Sequence, residues 1–115
     1  MGAMLEIRFH GRGGQGTVLA AKIIADVVLR QGDKQCLAIP EFGVERRGAP
    51  VMAYARVSDK PILARTRIYA PDALVVLDPT LYTSDILKGL KPGGTILTNG
   101  TAEDVARLSK RYPGF

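Results

Sequence analysis

Leu5-Glu6-Ile7-Arg8-Phe9-His10 runs into Gly11-Arg12-Gly13-Gly14-Gln15-Gly16, and that into Thr17-Val18-Leu19-Ala20-Ala21-Lys22-Ile23-Ile24-Ala25-Asp26-Val27-Val28-Leu29. The three pieces predict a strand, a glycine-rich turn and a helix. Leu5, Ile7 and Phe9 alternate with Glu6, Arg8 and His10, which is the period of a strand. Gly11, Gly13 and Gly16 keep the G-x-G-x-x-G spacing, with a strand before it and a helix after it, the setting that gives the spacing meaning. Glycine adopts positive φ at no steric cost and leaves no Cβ between the backbone and a ligand. The first N–H groups of the helix are unpaired and carry partial positive charge, so the turn suits an anion.

The helix is unusual in its own right. From Thr17 to Arg30 its charged residues are Lys22, Asp26 and Arg30, four apart, forming one thin polar stripe. Val, Leu, Ile or Ala fills every other position after Thr17. A surface helix is normally apolar on one face only. Two covers fit this one: a larger α/β core, or a contact with another subunit.

Outward from this unit the chain alternates strands and turns. Gln31-Gly32-Asp33 stops the helix, and Cys36 to Pro40 reads as a second strand. Pro40-Glu41-Phe42-Gly43-Val44-Glu45-Arg46-Arg47-Gly48-Ala49-Pro50 has neither period and reads as a loop near the glycine turn, with Glu45 beside two arginines. Val51 to Val57 reads as a third strand. Ser58-Asp59-Lys60-Pro61 is a turn. Ile62 to Tyr69 alternates like an edge strand. Ala73-Leu74-Val75-Val76-Leu77 is the continuous apolar run of a strand covered on both faces, and Asp78-Pro79 ends it where a parallel sheet meets its ligand. A short helix to about Leu90 leads through Lys91-Pro92-Gly93-Gly94 to a strand over Thr95–Thr98. Thr101 and Asp104 resemble a capping box. They open a helix in which Val105, Leu108 and Tyr112 share a face. The expected fold is an α/β, Rossmann-like three-layer sandwich, its sheet mostly parallel with an antiparallel excursion between residues 50 and 69. It forms one domain over residues 4–115, with Met1-Gly2-Ala3 as a cloning remnant ahead of Met4.

Composition narrows the function. No apolar run is long enough to cross a bilayer, and no basic-then-apolar leader opens the chain, so a cytoplasmic protein without a membrane role is expected. One cysteine, Cys36, rules out an internal disulfide and a cluster held by this chain alone. The single histidine, His10, gives no imidazole metal site. The net charge of +5 lies wholly in the first two-thirds and is arginine-rich, which favours carboxylate or phosphate. Basic strands interleaved with aromatics, as bind nucleic acid, are missing. As a stand-alone nucleotide binder the chain lacks a well-placed ribose acid, since Asp33 precedes the second strand and Glu41 comes late. As an AdoMet-dependent enzyme it has the glycine turn and Leu90-Lys91-Pro92-Gly93-Gly94, but His10 in place of an acid at the first strand's end.

Four segments, in order, carry a closer resemblance. Arg8-Phe9-His10-Gly11-Arg12-Gly13-Gly14-Gln15-Gly16, Glu41-Phe42-Gly43-Val44-Glu45-Arg46-Arg47-Gly48-Ala49-Pro50-Val51, Ile68-Tyr69-Ala70-Pro71-Asp72 and Val76-Leu77-Asp78-Pro79 resemble the gamma subunit of 2-oxoacid:ferredoxin oxidoreductases. Glu-Arg-Arg-Gly-Ala-Pro is similar to the pyruvate or 2-oxoisovalerate type. The 2-oxoglutarate enzymes carry Arg-Gly-Gly there. The resemblance implies a complex that decarboxylates a 2-oxoacid on thiamine diphosphate, passes electrons through iron–sulfur clusters to ferredoxin and delivers the acyl group to coenzyme A. Thiamine diphosphate, magnesium and the clusters are then expected on alpha, beta and delta-type partner subunits, with no cofactor bound by this chain and no catalytic residue on it. Gamma chains of the family normally continue well past this length, so truncation at the C-terminus or a divided gene product is expected.

The candidate site follows. Arg12, Gly13, Gly14, Gln15 and Gly16 with Glu45, Arg46 and Arg47 are expected either to line one electropositive pocket for a phosphate of coenzyme A or a substrate carboxylate, or to meet a neighbouring subunit.

Overall fold

The computed structural model describes residues 4–41, 48–62, 68–81 and 84–111. Five strands form one sheet: β1 (Leu5–Arg12), β2 (Gln35–Pro40), β3 (Pro50–Ser58), β4 (Ala73–Val76) and β5 (Thr95–Thr98). Helix α1 spans Thr17–Gln31, α2 Ser84–Leu87 and α3 Ala102–Arg111. The sheet order is β2-β3-β1-β4-β5. β1 pairs in parallel with β4, and β4 with β5. β3 runs antiparallel to both β1 and β2. Four of the described strands therefore point one way and β3 alone opposes them, as the excursion after residue 50 predicts. Of the expected edge strand at 62–69, residues 63–67 lie outside the described residues. So does Tyr112 of the last helix.

β1 differs from expectation at its end. It continues through Gly11 and Arg12, because β3 pairs with it to the last residue, Gly11 with Val51 and Arg12 with Pro50. The turn proper is therefore Gly13–Gly16, and the first glycine of the motif belongs to the strand. Gly11 is fixed there by close approach: a Cβ on it would collide with Thr17 Oγ1 and lie 3.4 Å from Leu77 Cβ. Gly16 has φ 82° at the N-cap of α1, and Gly32 has φ 81° at its C-cap, donating its N–H to Leu29 O at 3.2 Å. Both are left-handed conformations that side chains resist.

Register sorts the two faces. Phe9 faces Ala53 across one ladder and Val75 across the other. With Ala55 they pack under Ala21 of α1, joined by Ile7, Val18, Ile24, Cys36 and Ala38. The small residues of β3 let the helix lie close, and the buried Phe9 fills the space between them. On the opposite face Leu74 and Val76 pack against Leu87 and Leu90 at the end of α2. The result is three layers: α1, sheet, and the α2 segment. The Thr101–Asp104 capping box is present, each residue's N–H donating to the other's side chain, at 2.9 and 3.2 Å.

The alternation of β1 suggests a polar face toward water, yet Arg8 and His10 are buried. The Arg8 guanidinium donates to Ile86 O at 2.7 Å, Lys88 O at 3.0 Å and Ile68 O at 3.3 Å, and its Nε donates to His10 Nε2 at 2.9 Å. A buried cation needs its donors filled. Here carbonyls of the α2 layer fill them, so Arg8 fastens that layer to the central strand. Beside it Arg56, directly opposite Glu6 across the ladder, donates from Nε to Glu6 Oε2 at 2.9 Å.

Candidate functional site

The site lies at the carboxyl ends of β1 and β4, where the parallel part of the sheet opens. β1 ends in Arg12, and the chain reverses through Gly13–Gly16 into α1. Two backbone bonds join this turn to the far end of the Pro40–Pro50 loop. Gly13 N–H donates to Ala49 O at 2.8 Å, and Gly48 N–H donates to Gly13 O at 3.0 Å. At the other end of that loop Glu41 N–H donates to Met52 O at 3.0 Å. Glu45, Arg46 and Arg47 lie outside the described residues, between these two anchors.

Arg12 and Gln15 come together on Asp78, an acid of this chain. Arg12 Nε donates to Asp78 Oδ2 at 3.0 Å, and Gln15 Nε2 to the same oxygen at 3.1 Å. The Arg12 guanidinium also donates from Nη1 to Gly48 O at 3.1 Å and from Nη2 to Thr80 Oγ1 at 3.0 Å. Gln15 Oε1 accepts from Arg12 N–H at 2.7 Å. The other Asp78 oxygen, Oδ1, accepts from Thr80 N–H at 2.9 Å and from its hydroxyl at 2.7 Å. These donors, Thr80 first and then Gln15 and Arg12, hold the Asp78 carboxyl down at about 2. The carboxylate is therefore ionised at any working pH, and the positive charge of Arg12 is met inside the protein.

Asp78 stands at the strand end that the apolar run 73–77 marks. The signal for its role is that run followed by a carboxylate and a proline. Thr80 carries no such signal, because its part depends on the 3-10 turn Pro79–Leu81 bringing its hydroxyl back to Asp78. Gly14 and Gly16, both exposed, leave the turn backbone open to solvent. Beneath the turn Thr17 is buried, and its Oγ1 has no hydrogen-bond partner among the described residues.

Next to the turn, His10 is buried with Nε2 accepting from Arg8, which places its proton on Nδ1. Burial and the Arg8 charge push its pKa down to about 4. Cys36 packs at the edge of the α1 core, and burial raises its thiol pKa. Cys36 is a free, partly buried thiol. Among the described residues no helix is long and apolar enough to cross a membrane.

Known proteins resemble this chain in sequence and in fold. The model of the pyruvate ferredoxin/flavodoxin oxidoreductase family matches residues 6–114. The chain belongs to this family. It is 54% identical over 114 residues to the pyruvate/ketoisovalerate oxidoreductases common subunit gamma of Thermococcus kodakarensis, covering 96% of this chain and 61% of that one. It is 51% identical over 110 residues to a pyruvate synthase subunit of Methanocaldococcus jannaschii, again covering 61% of the relative and 95% of this chain. Among solved structures, the pyruvate oxidoreductase subunit of Thermotoga maritima superposes with a TM-score of 0.78 at 38% identity, covering 93% of this chain and 55% of that one. The fold is thus that of the family's gamma subunits, and the chain spans about three-fifths of the length of the curated relatives it matches. The reading as a stand-alone nucleotide-binding domain draws no support from these matches.

Proposed function

We propose that this chain serves as the gamma component of a multisubunit 2-oxoacid:ferredoxin oxidoreductase. The complex oxidatively decarboxylates pyruvate or a related 2-oxoacid to the acyl-coenzyme A in the cytoplasm and reduces ferredoxin. Thiamine diphosphate, magnesium and iron–sulfur clusters sit on alpha, beta and delta-type subunits. The gamma chain closes the site at which coenzyme A acts. The stitching of Gly48 and Ala49 to Gly13 supports the site reading, because these two residues follow Arg47 directly in the chain. Within the turn Gly13 N–H and Gln15 N–H already donate to Ala49 O and Arg12 O, which leaves the exposed Gly14 and Gly16 with the two arginines to suit a phosphate of coenzyme A or a substrate carboxylate.

A charge-assisted bond to arginine contributes about 1.5–3 kcal/mol. Arg46→Ala or Arg47→Ala should therefore raise the Michaelis constant of the assembled complex for coenzyme A or 2-oxoacid by roughly tenfold to a hundredfold. Unchanged constants with assembly intact by gel filtration contradict the pocket. Loss of assembly instead assigns these arginines to a subunit contact.

A further inference from the structure

The side chains that the glycine turn offers to an anion already hold one, and it belongs to the protein. Arg12 Nε, Gln15 Nε2 and the Thr80 hydroxyl and N–H all donate to the Asp78 carboxylate, at 2.7 to 3.1 Å. Arg12 Nη1 is taken by Gly48 O and Nη2 by Thr80 Oγ1. A guanidinium has five N–H donors, and these contacts engage three, leaving one on each terminal nitrogen. An incoming oxyanion finds the Nε edge of Arg12 occupied and a fixed negative charge beside it.

We propose that Asp78 is an internal counter-ion that gates this site: its carboxylate competes with an external carboxylate or phosphate for Arg12 and Gln15, and sets how tightly the glycine turn binds one. This rests on the anion site proposed above and concerns its regulation. The physical basis is direct. A fixed negative charge beside the turn repels an incoming anion and competes with it for the same donors. Asp78 stays ionised, so protonation does not lift its opposition near neutral pH. Partial opening of the Arg12–Asp78 pair does, and any partner contact that draws Asp78 or Thr80 aside would raise anion affinity at the turn by the same linkage. The contact is well placed for this, because Asp78 and Thr80 sit on the short segment between β4 and α2, apart from the turn they restrain.

The test is titration of the chain with coenzyme A and, separately, with pyruvate, followed by calorimetry and by the amide signals of Gly14, Gln15 and Gly16. Asp78→Asn and Asp78→Ser both remove the charge, the second keeping a short hydroxyl that can accept from Arg12. Both should bind one probe about tenfold more tightly than the parent chain, and the probe that gains identifies the anion. Adding Arg12→Gln to either should abolish the gain. Glu103→Gln on α3 removes the same charge elsewhere and should leave affinity unchanged. If the parent binds and neither neutral variant binds more tightly, with native spectra and melting, the gate is wrong and the anion site stands. A gain matched by Glu103→Gln is a net-charge effect and also overturns the gate. If no form binds either probe at millimolar concentration, the anion site itself fails and the gate with it.

Discussion

His10 is a histidine that folding keeps neutral. Its ordinary pKa is 6.5, and burial beside Arg8 lowers it to about 4. Between these values the unfolded chain takes up a proton that the folded chain refuses. The stability this residue permits is therefore complete above pH 6.5 and falls as the pH drops toward 4, by at most about 3 kcal/mol. Chemical denaturation between pH 7.5 and 4.5 should show that slope, and His10→Asn should flatten it. Parallel curves for the two proteins contradict the assignment. The motif glycines separate in the same way. Gly11→Ala pushes a methyl into the Thr17 hydroxyl, an overpacking that costs about 1–3 kcal/mol. At Gly16 no atom lies within 4 Å of the added Cβ, so Gly16→Ala pays only for positive φ, about 1–2 kcal/mol. Relief of the first cost by Thr17→Ala, which removes the hydroxyl, and not of the second, would be the signature in a thermal melt. Arg8 and His10 show what β1 could not disclose alone: their burial depends on carbonyls 60 to 80 residues away along the chain.

Helix α1 faces two environments. Ala21 is 1% exposed against the sheet, whereas Leu19 is 60%, Ile23 53% and Val27 49% exposed on the far side. The last three recur every fourth residue and make one row. The Asp26–Arg30 pair, at 3.0 Å, lies on the same outward side. The composition of the helix already announced a second cover, and the sheet supplies only the first. The described residues of this chain leave the row uncovered, and we propose that a neighbouring subunit of the complex covers it. Surface changes away from packing usually shift stability by less than about 0.5 kcal/mol. Leu19→Glu with Ile23→Glu should accordingly leave melting of the chain nearly unchanged and prevent its co-purification with partner subunits. Normal co-purification would remove α1 from the interface. At this scale the boundaries of β2, β3, β5 and the capping box were legible, since each rests on local period or local hydrogen bonds. The extension of β1 through Arg12 was not, because glycine gives no strand signal and the pairing partner at Val51 supplies it.

The whole molecule is a sheet whose parallel end gathers its least generic residues. The glycine turn, the end of the arginine loop and the Asp78–Thr80 turn meet there. They come from three separate segments, and only the first two announce themselves in sequence through glycine spacing and paired arginines. Asp78 was legible as a strand terminus and not as the partner of Arg12, 66 residues away, because ion pairing across a sheet leaves no periodic trace. The three-layer order was legible from the alternation of apolar runs with turns and from the covered strand at 73–77. One measurement tests the central claim, that this chain completes a 2-oxoacid oxidoreductase without carrying its redox groups. Partner subunits are purified with their thiamine diphosphate and clusters, and coenzyme A-dependent reduction of ferredoxin by pyruvate and by 2-oxoisovalerate is followed with and without this chain. The account predicts turnover only when the chain is added, and none from the chain alone, which should be colourless. Equal turnover in its absence, or turnover by the chain alone, would contradict it.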